Sequence, residues 1–215
     1  MNVINVKTLA LYAISLLLLP ITTNAQNNVN GKRPDSVIIS RLPKLGNASD
    51  ILRNSRSNID KEPKFLVTSN GFSNTQNNKR NFIVYEFTGL KASDMKSSII
   101  SKLTTMFKSP KDAIHTISDN IISVEGYSSN VFRYNGYSCD ILFNLTIEFK
   151  DGKIRYNYPV IKQIYVDSGV IGMLRLDSSK TFQTIAENNN EQIVANYFNS
   201  IVSDLNTAAK TSDSW

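Results

Sequence analysis

The sequence predicts an α+β domain: an antiparallel sheet of about five strands, in the order strand, helix, four strands, helix, with both helices packed on one face. Three observations carry this reading. From Tyr137 to Phe149 the odd positions are Tyr137, Cys139, Ile141, Phe143, Leu145, Ile147 and Phe149, while Asn144, Thr146, Glu148 and Lys150 take even ones; a period of two kept this long is a strand with one buried face. Asp151-Gly152 follows at once, the dipeptide that a two-residue type I′ hairpin turn favours because both central residues need positive φ. Finally, Met95, Ile99, Leu103, Met106 and Phe107, and again Ile193, Tyr197, Ile201, Leu205 and Ala208, recur at the spacing of one helical face.

In chain order, residues 1–25 (MNVINVKTLALYAISLLLLPITTNA) have one cation in a short start, an apolar run from Leu9 to Leu19, then Pro20 and the small residues Thr23 and Ala25. That is the layout of a secretory signal peptide, expected to be cut after Ala25. The apolar run is shorter than the roughly 20 residues a membrane-spanning helix needs, and no lipobox cysteine follows it. The expected product is a periplasmic or secreted chain with no transmembrane span. Residues 26–80 read as a mostly disordered, basic, polar tail and linker, interrupted by Pro34, Pro43 and Pro63, with FLVT (65–68) as one short strand. Apolar clusters at Val37–Ile39 and Ile51-Leu52 are candidates for docking.

The domain itself is expected over 81–215. NFIVYEF (81–87) is apolar on both parities, as a strand covered on two sides would be, and Gly89 closes it. The first helix fills 93–108 and stops before Pro110. AIHTI and IISVEGY, joined at Ser118-Asp119-Asn120, read as two short strands of a hairpin, and SSNVFRYNG as a loop leading to the long strand. If Asp151 and Gly152 are the next turn, paired residues sum to 303: Phe149 faces Ile154, Ile147 faces Tyr156, Leu145 faces Tyr158 and Phe143 faces Val160, with Glu148 opposite Arg155 on the other side. Thus the tyrosines and arginine of KIRYNY belong to sheet chemistry. Val166–Leu176, with two glycines, fits either a sixth strand or a loop. The closing helix is widened by Val194, Phe198 and Val202.

The order of these elements resembles the secreted bacterial domain of unknown function described as having a fold like the TATA-box-binding protein. The resemblance rests on FIVYEFTGLKASDM, SPKDAIHTISD, YNGY with the alternating strand after it, FKDGKIRYNY, and the closing helix followed by terminal Trp215. It covers about 130 of 215 residues. The packed face of the first helix holds Ile99 and Leu103 where the family pattern has an aromatic. What the resemblance implies is a curved antiparallel sheet backed by two helices. It implies no DNA binding, because a shared fold is not a shared site.

Charge points the same way. The net charge is +6, yet residues 65–215 hold fifteen bases against fourteen acids. Binding driven by phosphate neutralisation needs a concentrated basic face, so no nucleic-acid partner is expected. Cys139 is the only cysteine, which rules out an internal disulfide, and its parity buries it with the apolar residues of its strand. No cofactor or metal is expected: His115 is the single histidine, and no phosphate-cradling glycine loop or Gly-x-Ser-x-Gly elbow occurs. A hydrolase would have to bring His115 and Glu125 into one cleft; Glu86 and Glu148 are the other carboxylates on strands. The group with most promise is Tyr127, Phe132, Arg133, Tyr134 and Tyr137, around the loop before the long strand, since aromatics on loops grip protein or glycan ligands. The expected function is a non-catalytic exported module that binds a protein or glycan of the cell envelope.

Overall fold

The hairpin whose turn is Asp151-Gly152 joins two neighbouring strands in the interior of the sheet. A computed structural model describes residues 43–53, 62–77, 79–169 and 172–211, which all belong to one unit. Residues 1–25, read as a signal peptide, the stretch from 26 through 42 and Trp215 lie outside the described residues. The elements are β1 (Lys44–Asn47), α1 (Ala48–Arg53), β2 (Phe65–Thr68), β3 (Gly71–Asn74), β4 (Phe82–Glu86), α2 (Ala92–Met106), α3 (Pro110–Ala113), β5 (Ile114–Ser118), β6 (Ile121–Tyr134), β7 (Tyr137–Lys150), β8 (Lys153–Asn157), β9 (Val160–Asp167), β10 (Met173–Arg175), α4 (Thr181–Glu187) and α5 (Glu191–Lys210).

The sheet has eight strands, not five. The five expected from the sequence are β4, β5, β6, β7 and β8, all antiparallel to their partners. Three more enlarge it. β9 continues along β7 beyond β8, β10 pairs with β9, and β1 adds in parallel to the outer edge of β6, beside β5. So 160–176 contributes two strands. The stretch read as tail and linker also contributes ordered elements: β1 and α1 at 44–53, and a separate β2–β3 hairpin at 65–74. β2 is held to α5 by the carboxamide of Asn199, whose Oδ1 accepts from Phe65 N–H at 2.8 Å and whose Nδ2 donates to Phe65 C=O at 2.9 Å.

The register with β8 is as counted for Phe149–Ile154, Glu148–Arg155 and Ile147–Tyr156. It then slips by one: Phe143 faces Ile161, and Val160 faces Asn144. Because side chains alternate, one residue of slip exchanges faces, leaving Val160 60% exposed and Ile161 at 9%. The cause is Pro159, which has no N–H to give the ladder and sits at the joint of β8 and β9. Tyr158 N–H, like those of the other even residues at this side of β8, is directed to β4 and bonds Asn81 C=O.

Odd residues of β7 face the helices. Met95, Ile99 and Leu103 of α2 are buried, as the spacing predicts. On α5 Tyr197, Ile201 and Leu205 are buried together with Val194, Phe198 and Val202, as the spacing predicts, while Ile193 is 41% exposed and Ala209 rather than Ala208 is buried. Aromatic rings link the layers: Phe198 packs edge-on against Phe143 of β7 at 5.2 Å and against Phe72 of β3 at 5.4 Å. Phe72 in turn meets Phe65, Tyr158 and Phe182, which fixes the small hairpin and α4 to the core. Among the described residues no helix is long and apolar enough to cross a membrane.

Candidate functional site

β6 is one strand from Ile121 to Tyr134, so the segment read as a loop, 128–136, is mostly strand. Its pairing with β7 is interrupted between Ser128 and Phe132 and resumes as Phe132–Cys139, Arg133–Ser138 and Tyr134–Tyr137. The interruption is a bulge. Asn130 sits there at φ 57, a conformation Asn tolerates better than most residues. The chain then reverses at Asn135-Gly136, with φ of 49 and 84, the same turn chemistry as Asp151-Gly152.

This geometry divides the five candidate residues. Phe132 is buried on the helix side of the sheet, and Tyr127 is only 1% exposed on the opposite, helix-free side. The Tyr127 hydroxyl donates to Asp140 Oδ2, its ring meets Tyr165 edge-on at 6.0 Å, and Lys44 Nζ lies 5.7 Å from the ring centroid. Neither Tyr127 nor Phe132 offers a ring to a ligand. Arg133, Tyr134 and Tyr137 stand at the β6–β7 turn, where Arg133 is exposed, Tyr134 is half-buried against the core and Tyr137 is 48% exposed.

The turn is anchored from a distant part of the chain. Asn190 Nδ2 donates to Arg133 C=O at 2.7 Å, and Asn135 N–H donates to Asn188 Oδ1 at 3.4 Å. Arg133 Nη1 reaches Gly136 C=O at 3.3 Å. The ENNNE run between α4 and α5 therefore holds the tip of the hairpin and surrounds it with carboxamides.

Asp140 is a residue the sequence reading passed over. It accepts from Tyr127 and from Asn130 N–H at 2.9 Å, so one carboxylate ties the bulge to the sheet. Burial raises its pKa above the usual carboxylate range, against the two hydrogen bonds, which lower it. Burial, then the bond to Asp140, raises the Tyr127 phenol as well. A phenol kept protonated beside a structural carboxylate positions backbone; it supplies no nucleophile. The one available signal was a lone acid inside CDILF.

This arrangement makes a prediction. Asp140→Ala leaves Asn130 N–H and the Tyr127 hydroxyl without their acceptor, a loss of about 1–3 kcal/mol for buried polar groups. Asp140→Asn is expected to be tolerated, because Oδ1 can accept from Asn130 while Nδ2 donates to a reoriented Tyr127 hydroxyl. The folded-state pKa of Asp140 is raised, so its contribution to stability is fully present below the unfolded pKa and is lost as pH rises through the folded value. Asp140→Asn should thus match the parent in acid and gain on it as pH climbs above about 4. Thermal melts of the three proteins across that range check this.

The other candidates do not assemble. Cys139 is buried, and burial pushes its thiol up to about 12, so it packs as a small apolar side chain. His115 is exposed on edge strand β5, opposite Ser123. Glu125 lies on the same face, diagonal to it at about 7–8 Å by ladder geometry, but is bound to Lys162. Glu86 pairs with Lys153 at 2.8 Å and Glu148 with Arg155 at 2.5 Å. All three ion pairs lie on the helix-free face, where Lys153, Arg155 and Lys162 are each matched by an acid. A groove of about 450 Å³ between α2 and α5 is lined by Ser97, Ser98, Ser101, Lys102, Thr105 and their neighbours, and includes neither His115 nor Glu125. Among the described residues no three His, Cys, Asp or Glu side chains meet in a way that could hold a metal.

Together these features define an α+β protein with an antiparallel-rich sheet, helices on one face and ion-paired strands on the other. No family model matches the chain, and no curated protein matches it. Among solved structures it is similar to a TBP-like protein from Parabacteroides distasonis ATCC 8503, with a TM-score of 0.48 and 12% identity over 60% of this chain and 91% of that one. It is also similar to a DUF4468 family protein from Bacteroides ovatus ATCC 8483, with a TM-score of 0.41 and 10% identity over 62% of this chain and 87% of that one. Both are bacterial, and they are the kind of protein that the sequence resembles.

Proposed function

We propose that the chain is an exported, non-catalytic module that binds a protein or glycan partner of the cell envelope through the β6–β7 turn. The observation that carries this reading is the turn itself: a half-exposed tyrosine, Tyr137, and an exposed cation, Arg133, on the two faces of a tip held in place by Asn188 and Asn190. An anchored tip costs little entropy to engage, and tyrosine and arginine are residue types that carry binding energy at interfaces. Export is supported by the pattern of residues 1–25. A protein or glycan, rather than nucleic acid, is supported by the pairing of Lys153, Arg155 and Lys162 with acids across the open face.

The test is capture from envelope extract by the parent protein and by an Arg133→Ala/Tyr137→Ala variant of unchanged melting temperature. The partner held by the parent should be lost from the variant. If both proteins hold the same partner equally, the turn is not the binding site.

A further inference from the structure

β4 is the terminal strand on its side of the sheet. Its odd residues bond to β8, as shown by Phe87 N–H to Gly152 C=O and Tyr158 N–H to Asn81 C=O at the two ends of the ladder. Its even residues therefore turn their backbone groups outward. At the centre of that outer edge, Val84 N–H donates to Gln76 Oε1 at 2.9 Å, and Val84 C=O accepts from Gln76 Nε2 at 3.1 Å. One carboxamide makes the two bonds that a residue of a neighbouring strand would make. Asn199 does the same for Phe65 on β2.

The Gln76 side chain is carried by a bend that Asn74 organises. Asn74 Oδ1 accepts from the N–H groups of Gln76 and Asn77, and its Nδ2 donates to the carbonyls of Asn77 and Arg80 and to Tyr158 Oη. Asn74 is buried while Gln76 is exposed. A side chain held at the edge by a buried anchor, yet itself in solvent, is a stopper, since an uncovered strand edge is a template for further pairing.

We propose that Gln76 closes the outer edge of β4 against a second copy of this chain, and that the edge it covers is built to pair with itself. Antiparallel pairing about a two-fold axis through Val84 sets Val84 against its own copy and Phe82 against Glu86 of the other. That juxtaposition is complementary. Arg155 and Arg80 stack on Phe82 at 4.6 and 5.6 Å from the ring centroid; Arg155 is already paired with Glu148 and Glu86 with Lys153, so Arg80 is the cation over which the other copy's Glu86 would arrive. The two open faces would then form one continuous sheet surface.

The test uses the full chain with Gln76→Ala, followed by light scattering over a range of protein concentrations. The parent stays monomeric throughout, and the variant doubles in mass as concentration rises. Adding Val84→Pro, which deletes the central N–H, returns the variant to monomer. A folded Gln76→Ala protein that stays monomeric at every concentration overturns the proposal, as does a dimer that Val84→Pro leaves intact. Should Gln76→Ala not fold, amide exchange on the parent decides: a Val84 N–H protected like the β8-bonded amides of β4 supports the closure, and one that exchanges like an open amide refutes it.

Discussion

Gly126→Val is expected to destabilise the protein by about 3 kcal/mol or more, at the upper end for overpacking a close-packed core. Gly126 faces Phe143 across the β6–β7 ladder, and a Cβ at 126 would stand 2.5 Å from Phe143 Cζ and 2.8 Å from Cε1. The ring has nowhere to go: it is buried, and Phe198 and Tyr197 pack against it at 5.2 and 6.2 Å. The glycine is thus a place for a cross-strand ring, and its backbone needs no unusual φ. Phe143→Leu removes the clashing ring atoms. It should therefore be costly alone and yet partly rescue Gly126→Val, giving a favourable coupling in a double-mutant cycle. Urea unfolding of the four proteins measures it, and additive losses would show that the two positions do not share the space.

Phe198→Ala is expected to cost about 3–5 kcal/mol, the range for deleting a buried phenylalanine. Phe198 touches Phe72, Phe143 and Tyr197 with centroids 5.0–5.4 Å apart, so it joins the closing helix, the central strand and the β2–β3 hairpin. Against a typical total of about 5–15 kcal/mol, that loss brings the domain near its unfolding threshold. The signature is a lower denaturation midpoint at constant slope. A biphasic transition would instead mean that the hairpin separates from the sheet before the rest unfolds.

The core of this fold was legible because its signals are local. The alternation in 137–149, the Asp-Gly turn and the two helical stripes each need only a short window of sequence, and β7, β8, α2 and α5 follow from them. The added strands are set by distant partners. KLGN has no alternation of its own, and β1 exists because Tyr127 N–H finds Pro43 C=O and Ser128 Oγ finds Gly46 C=O. Val160 was placed on the wrong face because a two-residue turn fixes the register only until Pro159 breaks the ladder. At the candidate site, Ser128, Ser129 and Asn130 look like loop residues because a bulge draws on the same residue types as a loop. What makes it a bulge is Asp140, ten residues on and across the strand. Asn135-Gly136, by contrast, carried the same turn signal as Asp151-Gly152, and it marks the tip on which the proposed contact depends.

That contact is tested most directly by amide hydrogen exchange on the protein alone and bound to the partner it captures from envelope. Exchange should slow at residues 133–137 and 188–190, which form one anchored tip, and stay unchanged across the helix-free face. Slowing confined to 123–125 and 142–146, with the tip unaffected, would contradict the account and move the binding surface to the open sheet.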